Sequence, residues 1–122
     1  MNDPSEIEAV RNAIERYIEG SSGNVETLRA VFHPEARMTG YFDGNLMLGT
    51  PEPFFDLVKS AVTPESTAAY KAEIRSIEVM GQAATATLVE SGFLGSDFTD
   101  FFQLIRDDQG WRIISKTFHQ GS

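Results

Sequence analysis

Asp100 stands in an apolar row between Phe98 and Phe102, and His119 closes the run Ser115-Lys116-Thr117-Phe118-His119 near the end of the chain. Desolvation among aromatics raises a carboxylate's proton affinity and an imidazole partner lowers it, so the pair has the make-up of a general acid–base site. Whether the two groups meet depends on one turn. With Asp108 and Gln109 at a hairpin tip, Arg106 faces Trp111, Leu104 faces Ile113, Phe102 faces Ser115, Asp100 faces Thr117 and Phe98 faces His119, all on one face of the sheet. Asp100 and His119 are then diagonal neighbours, roughly 7 to 8 Å apart at the backbone. A shift of one residue would instead put Lys116 near Asp100 and send His119 to the other face. The plainer roles are a hydrogen bond from Asp100 to Thr117, Tyr17 or a backbone amide that stabilises a bend, and a solvated ring for His119.

Glu90 interrupts Ala84, Ala86 and Leu88 on one face of its strand and neighbours Asp100 across the Gly95-Ser96 turn. Two adjacent carboxylates share a proton more readily than both ionise. Its competing placement is a convex face, exposed or at a dimer interface. Tyr41, Phe54, Phe55, Phe98, Phe102 and Trp111 suit an aromatic cavity for a flat or hydrophobic ligand, with Ser115 and Thr117 beside them, and suit an ordinary core equally well. His33, before Pro34, reads as a cap for the C-terminus of a helix.

The chain has 122 residues, no cysteine and a formal charge of −8. Thiolate catalysis, disulfides and sulfur-ligated zinc are excluded, and two histidines leave little for a metal cage. The acidic balance argues against nucleic acid or an anionic membrane as partner. Met1 to Ser5 lacks the basic region of a secretion signal and no long apolar run follows, so a cytoplasmic protein is expected. Phosphate-binding glycine loops, dinucleotide fingerprints and serine-nucleophile elbows are missing too.

Asp3-Pro4-Ser5-Glu6 starts a helix, with Asp3 as cap, and Ile7, Val10, Ile14, Tyr17 and Ile18 give it one apolar stripe up to the break at 20–23. Asn24 caps a short second helix with Val25, Leu28, Val31 and Phe32 inward, which Pro34 stops. An extended segment from Ala36 to Tyr41 leads into a hairpin turn at Asp43-Gly44, and Thr50 caps a third helix carrying Phe54, Phe55, Val58, Ala61 and Val62, closed by Pro64. Four alternating runs follow, Tyr70 to Val79, Ala83 to Phe93, Asp97 to Arg106 and Trp111 to His119, as an antiparallel meander. The class is α+β, a curled sheet wrapped around helices, in one domain over 1–122.

That order, with Arg16-Tyr17-Ile18-Glu19, Phe32-His33-Pro34-Glu35-Ala36-Arg37-Met38 and Gly110-Trp111-Arg112-Ile113-Ile114-Ser115-Lys116, resembles the nuclear-transport-factor-2-like superfamily, which includes the SnoaL-like and ketosteroid-isomerase-like proteins. The run from Phe93 to His119 is most similar to its "Putative lumazine-binding" branch. The resemblance implies a conical barrel, a strongly bent, mostly antiparallel sheet around three N-terminal helices, enclosing one deep pocket, usually in a homodimer. Against the ketosteroid isomerases, Tyr17 matches the helix tyrosine, which would donate its phenol into the pocket. The position of their general base falls at Gly40, and Phe102 occupies that of their sheet acid, with Asp100 two residues earlier.

Two readings follow. In one, a cofactor-free pocket binds a small apolar or aromatic, cyclic molecule and carries out elimination, isomerisation or hydrolysis with Asp100, His119 and Tyr17. In the other, a dimeric module without catalysis fills its cavity with its own aromatics. The missing base at Gly40 favours the second.

Overall fold

A computed structural model describes residues 4–121. The Asp3 cap lies outside the described residues; Pro4 opens α1 (Pro4–Ser21), whose buried stripe is Val10, Ala13, Ile14, Tyr17 and Ser21. Asn24 caps α2 (Val25–Val31) by accepting the Thr27 amide at 3.2 Å. The chain turns extended at Phe32, earlier than the sequence suggests, because β1 (Phe32–Phe42) pairs beside the end of the chain. His33 does not cap the helix: its Nδ1 accepts the Glu35 amide at 2.9 Å. Asp43 and Gly44, both at positive φ, turn β1 back into β2 (Asn45–Gly49).

Pro51 occupies the N-cap of α3 (Glu52–Ala61), so Thr50 is one residue too early for that role. Phe54, Phe55 and Val58 are the helix's buried side. β3 (Lys71–Met80), β4 (Ala83–Phe93), β5 (Ser96–Asp107) and β6 (Gly110–Gln120) form the expected meander. The six strands lie in the order β2-β1-β6-β5-β4-β3, antiparallel except where β1 runs parallel to β6. This α+β sheet is curled, and α1 packs on its concave face against β3 and β6. Among the described residues no helix is long and apolar enough to cross a membrane.

Two irregularities decide what enters the interior. Leu104 pairs with Ile113 but Gln103 pairs with Ser115, so Ile114 is an extra residue in β6. Such a bulge reverses the facing of everything beyond it. Trp111 and Ile113 point inward as expected; after the bulge Lys116 and Phe118 do so, while Thr117 and His119 are exposed and Ser115 is half-buried on the convex face. The second irregularity, between Glu90 and Phe93, keeps both of those side chains inside. It rests on Gly92 at φ 71°, where a Cβ would meet the Ala69 carbonyl oxygen at 2.3 Å.

Candidate functional site

Glu90, Asp100 and Lys116 are the buried ionisable side chains of Asp, Glu, Lys or Arg type among the described residues, at 3%, 0% and 4% exposure. Burying one charge is costly unless it is paired, and these three converge with two tyrosines on one polar cluster. Alternation brings Asp100 inward on β5 between Phe98 and Phe102, and the Ile114 bulge brings Lys116 inward on β6 opposite Phe102. α1 lays Tyr17 across them, its ring edge-on to Phe102 with centroids 4.8 Å apart.

The polar contacts form a chain. Lys116 Nζ donates to the Tyr17 hydroxyl at 2.5 Å, and that hydroxyl donates to Asp100 Oδ2 at 3.3 Å. Lys116 Nζ also lies 4.0 Å from Asp100 Oδ1, at the limit of an ion pair. Asp100 Oδ1 is buried and has no hydrogen-bond partner among the described residues. A carboxyl group buried beside a second one keeps its proton more readily than it would in water. Burial, followed by the bond to Asp100 and its charge, holds the Glu90 carboxyl well above the usual carboxylate range. At the far end Tyr70 donates to Glu90 Oε2 at 2.5 Å. Burial first, and then the neighbouring acids, push the phenols of Tyr17 and Tyr70 up, so both remain hydrogen-bond donors at neutral pH.

This cluster forms one wall of a cavity of about 230 Å³. Tyr17, Glu90 and Lys116 reach the cavity, and Asp100 sits behind them. The other walls are apolar: Phe54, Phe93, Phe98 and Phe118 inside, with Phe42, Met47, Pro53 and Leu57 towards the less buried end. Lys116 Nζ lies over the rings of Phe54, Tyr17 and Phe118, 4.1, 5.0 and 5.4 Å from their centroids. Such an environment has the shape and chemistry to take a flat or alicyclic skeleton between its aromatic faces, with Tyr17, Lys116 and Glu90 as its polar groups.

The structure thus gathers Tyr17, Glu90, Phe54 and Phe98 at the cavity, with Asp100 and Phe102 packed behind it. Several expected members fall elsewhere. His119 is on the convex face because of the bulge at Ile114, and Ser115 and Thr117 go with it to a shallow outer groove beside Phe101. Tyr41 is 63% exposed, since the inward positions of β1 are Met38 and Gly40. Phe55 projects from the other side of α3, edge-on to Phe32 and beneath the Arg29 guanidinium. Trp111 is buried away from the cavity, where its Nε1 donates to Glu6 at 3.0 Å. Sequence reasoning reached Lys116 only through the alternative register and missed Tyr70. The signal for Lys116 was a phase break in β6, where apolar residues at 111 and 113 give way to one at 118.

The chain is similar in sequence and fold to several known proteins. A family model described as "Putative lumazine-binding" matches residues 5–119. The chain is 32% identical over 117 residues to the aldolase FrzH of a Cladobotryum species, covering 94% of this chain and 91% of that protein. Crystal structures of two NTF2-like proteins of unknown function have the same fold. The one from Shewanella baltica OS155 has a TM-score of 0.86 at 28% identity, covering 100% of this chain and 98% of that one. The one from Methylobacillus flagellatus KT has a TM-score of 0.90 at 24% identity, covering 99% and 96%.

Proposed function

The chain belongs to the "Putative lumazine-binding" family, with the NTF2-like fold, and on that premise we propose that it binds a small cyclic carbonyl compound and moves a proton on it. The observation that carries this reading is a cavity of about 230 Å³ whose walls are apolar except at Tyr17, Lys116 and Glu90. A dry cavity of about 150 Å³ accommodates benzene, so this one has room for a skeleton of one or two rings. Lumazine, a flat two-ring dione, is a ligand of that class.

The chemistry follows from which groups reach the ligand. A carbonyl oxygen set against Tyr17 and Lys116 meets a neutral donor and a cation, the pair needed to stabilise the negative charge that develops when a neighbouring carbon loses a proton. Glu90 faces the same space, and burial together with the neighbouring Asp100 raises its proton affinity, so it gives or takes a proton at the ligand while Asp100 tunes it. Asp100 is therefore a positioning residue and Glu90 the acid–base group. His119 has no part. The missing base at Gly40 does not remove acid–base capacity, because Glu90 supplies it from another strand. The similarity to an aldolase, an enzyme of carbonyl carbon chemistry, supports the same reading.

The test uses 1-tetralone, a two-ring ketone with exchangeable protons beside its carbonyl. In deuterated buffer the protein is expected to accelerate their exchange saturably, as read by proton NMR, and 1-tetralone is expected to raise the melting temperature. Glu90→Gln should keep the stabilisation and lose the acceleration. Failure of a panel of cyclic ketones, lumazine included, to stabilise the protein or exchange protons on it would overturn the proposal.

A second reading, a dimeric binding module, is favoured by Phe101, half exposed on the convex face among Thr85, Thr87, Ser115 and Thr117. A monomer by light scattering at high concentration would remove it.

A further inference from the structure

We propose that Lys116 is a nucleophilic amine that condenses with the carbonyl carbon of an aldehyde or ketone in the cavity to form an imine. The inference rests on the reading of the cavity as a carbonyl-compound site and goes beyond acid–base chemistry to a covalent step.

Three observations carry it. First, Lys116 is 4% exposed and its side chain lines the cavity, so a ligand in the cavity lies against it. Second, its close polar contact is a phenol oxygen at 2.5 Å and not a carboxylate, the nearer Asp100 oxygen being 4.0 Å away. Third, that phenol continues to Asp100 Oδ2 at 3.3 Å, which makes a two-step path for a proton from Nζ through Tyr17 to Asp100. Passage of one proton along it converts an ammonium and a carboxylate into an amine and a carboxylic acid, and removes two charges from a largely buried site. Lysines set in apolar pockets in this way serve as imine-forming nucleophiles.

The rest of the cluster supplies the remaining proton transfers. The Nζ lone pair attacks the carbonyl carbon; an N–C bond forms, the C–O π bond breaks and the oxygen takes the proton of Glu90. The nitrogen of the resulting carbinolamine returns a proton to the Glu90–Asp100 pair. The C–O bond then breaks as that oxygen takes a second proton from the pair and leaves as water, while the nitrogen lone pair forms the C=N bond. Amine, carbonyl compound and one proton of the pair give a protonated imine, its charge balanced by the carboxylate left behind, and water, with no oxidant or reductant.

Reductive trapping tests this on the intact protein. Benzaldehyde, which has no exchangeable proton beside its carbonyl, is added with sodium cyanoborohydride, whose hydride fixes an imine as a benzyl amine on the lysine. Peptide mapping by mass spectrometry then compares Lys116 with Lys59 and Lys71, both exposed and free to react as ordinary surface amines. Lys116 is expected to be labelled about tenfold faster than either, because the cavity holds the aldehyde against its amine. Lys116→Arg keeps a cation over the rings but forms no imine, and should leave only the slow surface labelling. Lys116→Met serves as the apolar counterpart where the arginine does not fit. Labelling of Lys116 no faster than Lys59 and Lys71, while 1-tetralone still stabilises the protein, would overturn the imine and leave the acid–base reading intact. Selective labelling of Lys116 with no response to 1-tetralone would support the imine and reject the proton-transfer reading. Absence of both effects would reject both.

Discussion

Lys116 and Tyr17 meet end to end, the Nζ of a strand lysine donating at 2.5 Å to the phenol oxygen of a helix tyrosine 99 residues away in sequence. The contact ties α1 to β6 at the cavity wall and passes the bond on to Asp100. Tyr17→Phe keeps the ring packing against Phe32, Phe54 and Phe102 and deletes only the hydroxyl. It leaves a buried ammonium and a buried carboxylate oxygen without their shared partner, which costs about 1–3 kcal/mol. Urea denaturation reads the loss directly; an unchanged midpoint would mean that the phenol does not link the two groups.

Lys116 and Asp100 should be energetically coupled. Removing one member of a buried charge pair leaves the other uncompensated, so Lys116→Met and Asp100→Asn are each expected to destabilise by about 3–5 kcal/mol. The double variant leaves neither charge stranded and should lose less than the sum of the two, by a coupling of about 0.5–3 kcal/mol. A double-mutant cycle from denaturation midpoints gives that quantity, and strict additivity would place the two groups in separate environments.

Glu90 should make the protein less stable as the pH rises. Its folded-state pKa lies above the unfolded value because of burial and then the neighbouring Asp100, so folding takes up a proton at pH values between the two. The stability this group gives is complete below the unfolded value and is lost as pH climbs towards the folded one, by at most about 1.4 kcal/mol per pH unit. Glu90→Gln mimics the protonated acid: its carbonyl oxygen can accept from Tyr70 and its amide can donate to Asp100. The variant should match the parent at acid pH, exceed it at neutral and alkaline pH, and lose this component of the slope. Parallel stability curves for the two proteins across pH 4 to 9 would refute the raised proton affinity of Glu90, the window being set to span the ordinary carboxylate range and well above it.

Most of the fold was legible because local signals agree with one another. The stripe on α1, the Asn24 cap, the Asp43-Gly44 turn and the hairpin tip at Asp108-Gln109 each lie where residue types alone put them. The parallel pairing of β1 with β6 was not, since nothing local in either strand names its partner. The site was legible up to Ile113 and then failed by one residue. A strand's facing alternates strictly until a bulge, and whether Ile114 or a neighbour is the extra residue depends on the curvature that β6 adopts between β1 and β5. That single residue exchanges His119 for Lys116 and turns a carboxylate–imidazole expectation into a carboxylate–amine cluster. Asp100 and Glu90 survived because they precede the bulge on unbroken alternation.

Gly40 offers the sharpest check on the packing of the concave face. By resemblance to the ketosteroid isomerases it holds the position of a general-base aspartate, so Gly40→Asp looks like a restoration. The structure argues the reverse. Gly40 pairs with Phe118 of β6 on one side and Met47 of β2 on the other, and a Cβ there would lie 2.5 Å from the Phe118 carbonyl oxygen and 2.7 Å from its ring. The ring can move only by giving up its place in the cavity wall against Phe98, 6.1 Å away between centroids, and the carbonyl belongs to the β1–β6 ladder. Gly40→Ala should therefore cost about 1–3 kcal/mol from overpacking alone, and Gly40→Asp more, because it adds a desolvated carboxylate. Thermal melts of the two variants check the order. A Gly40→Asp protein as stable as its parent would show that β1 can move away from Phe118, and then the acid–base role assigned to Glu90 would have a competitor on β1.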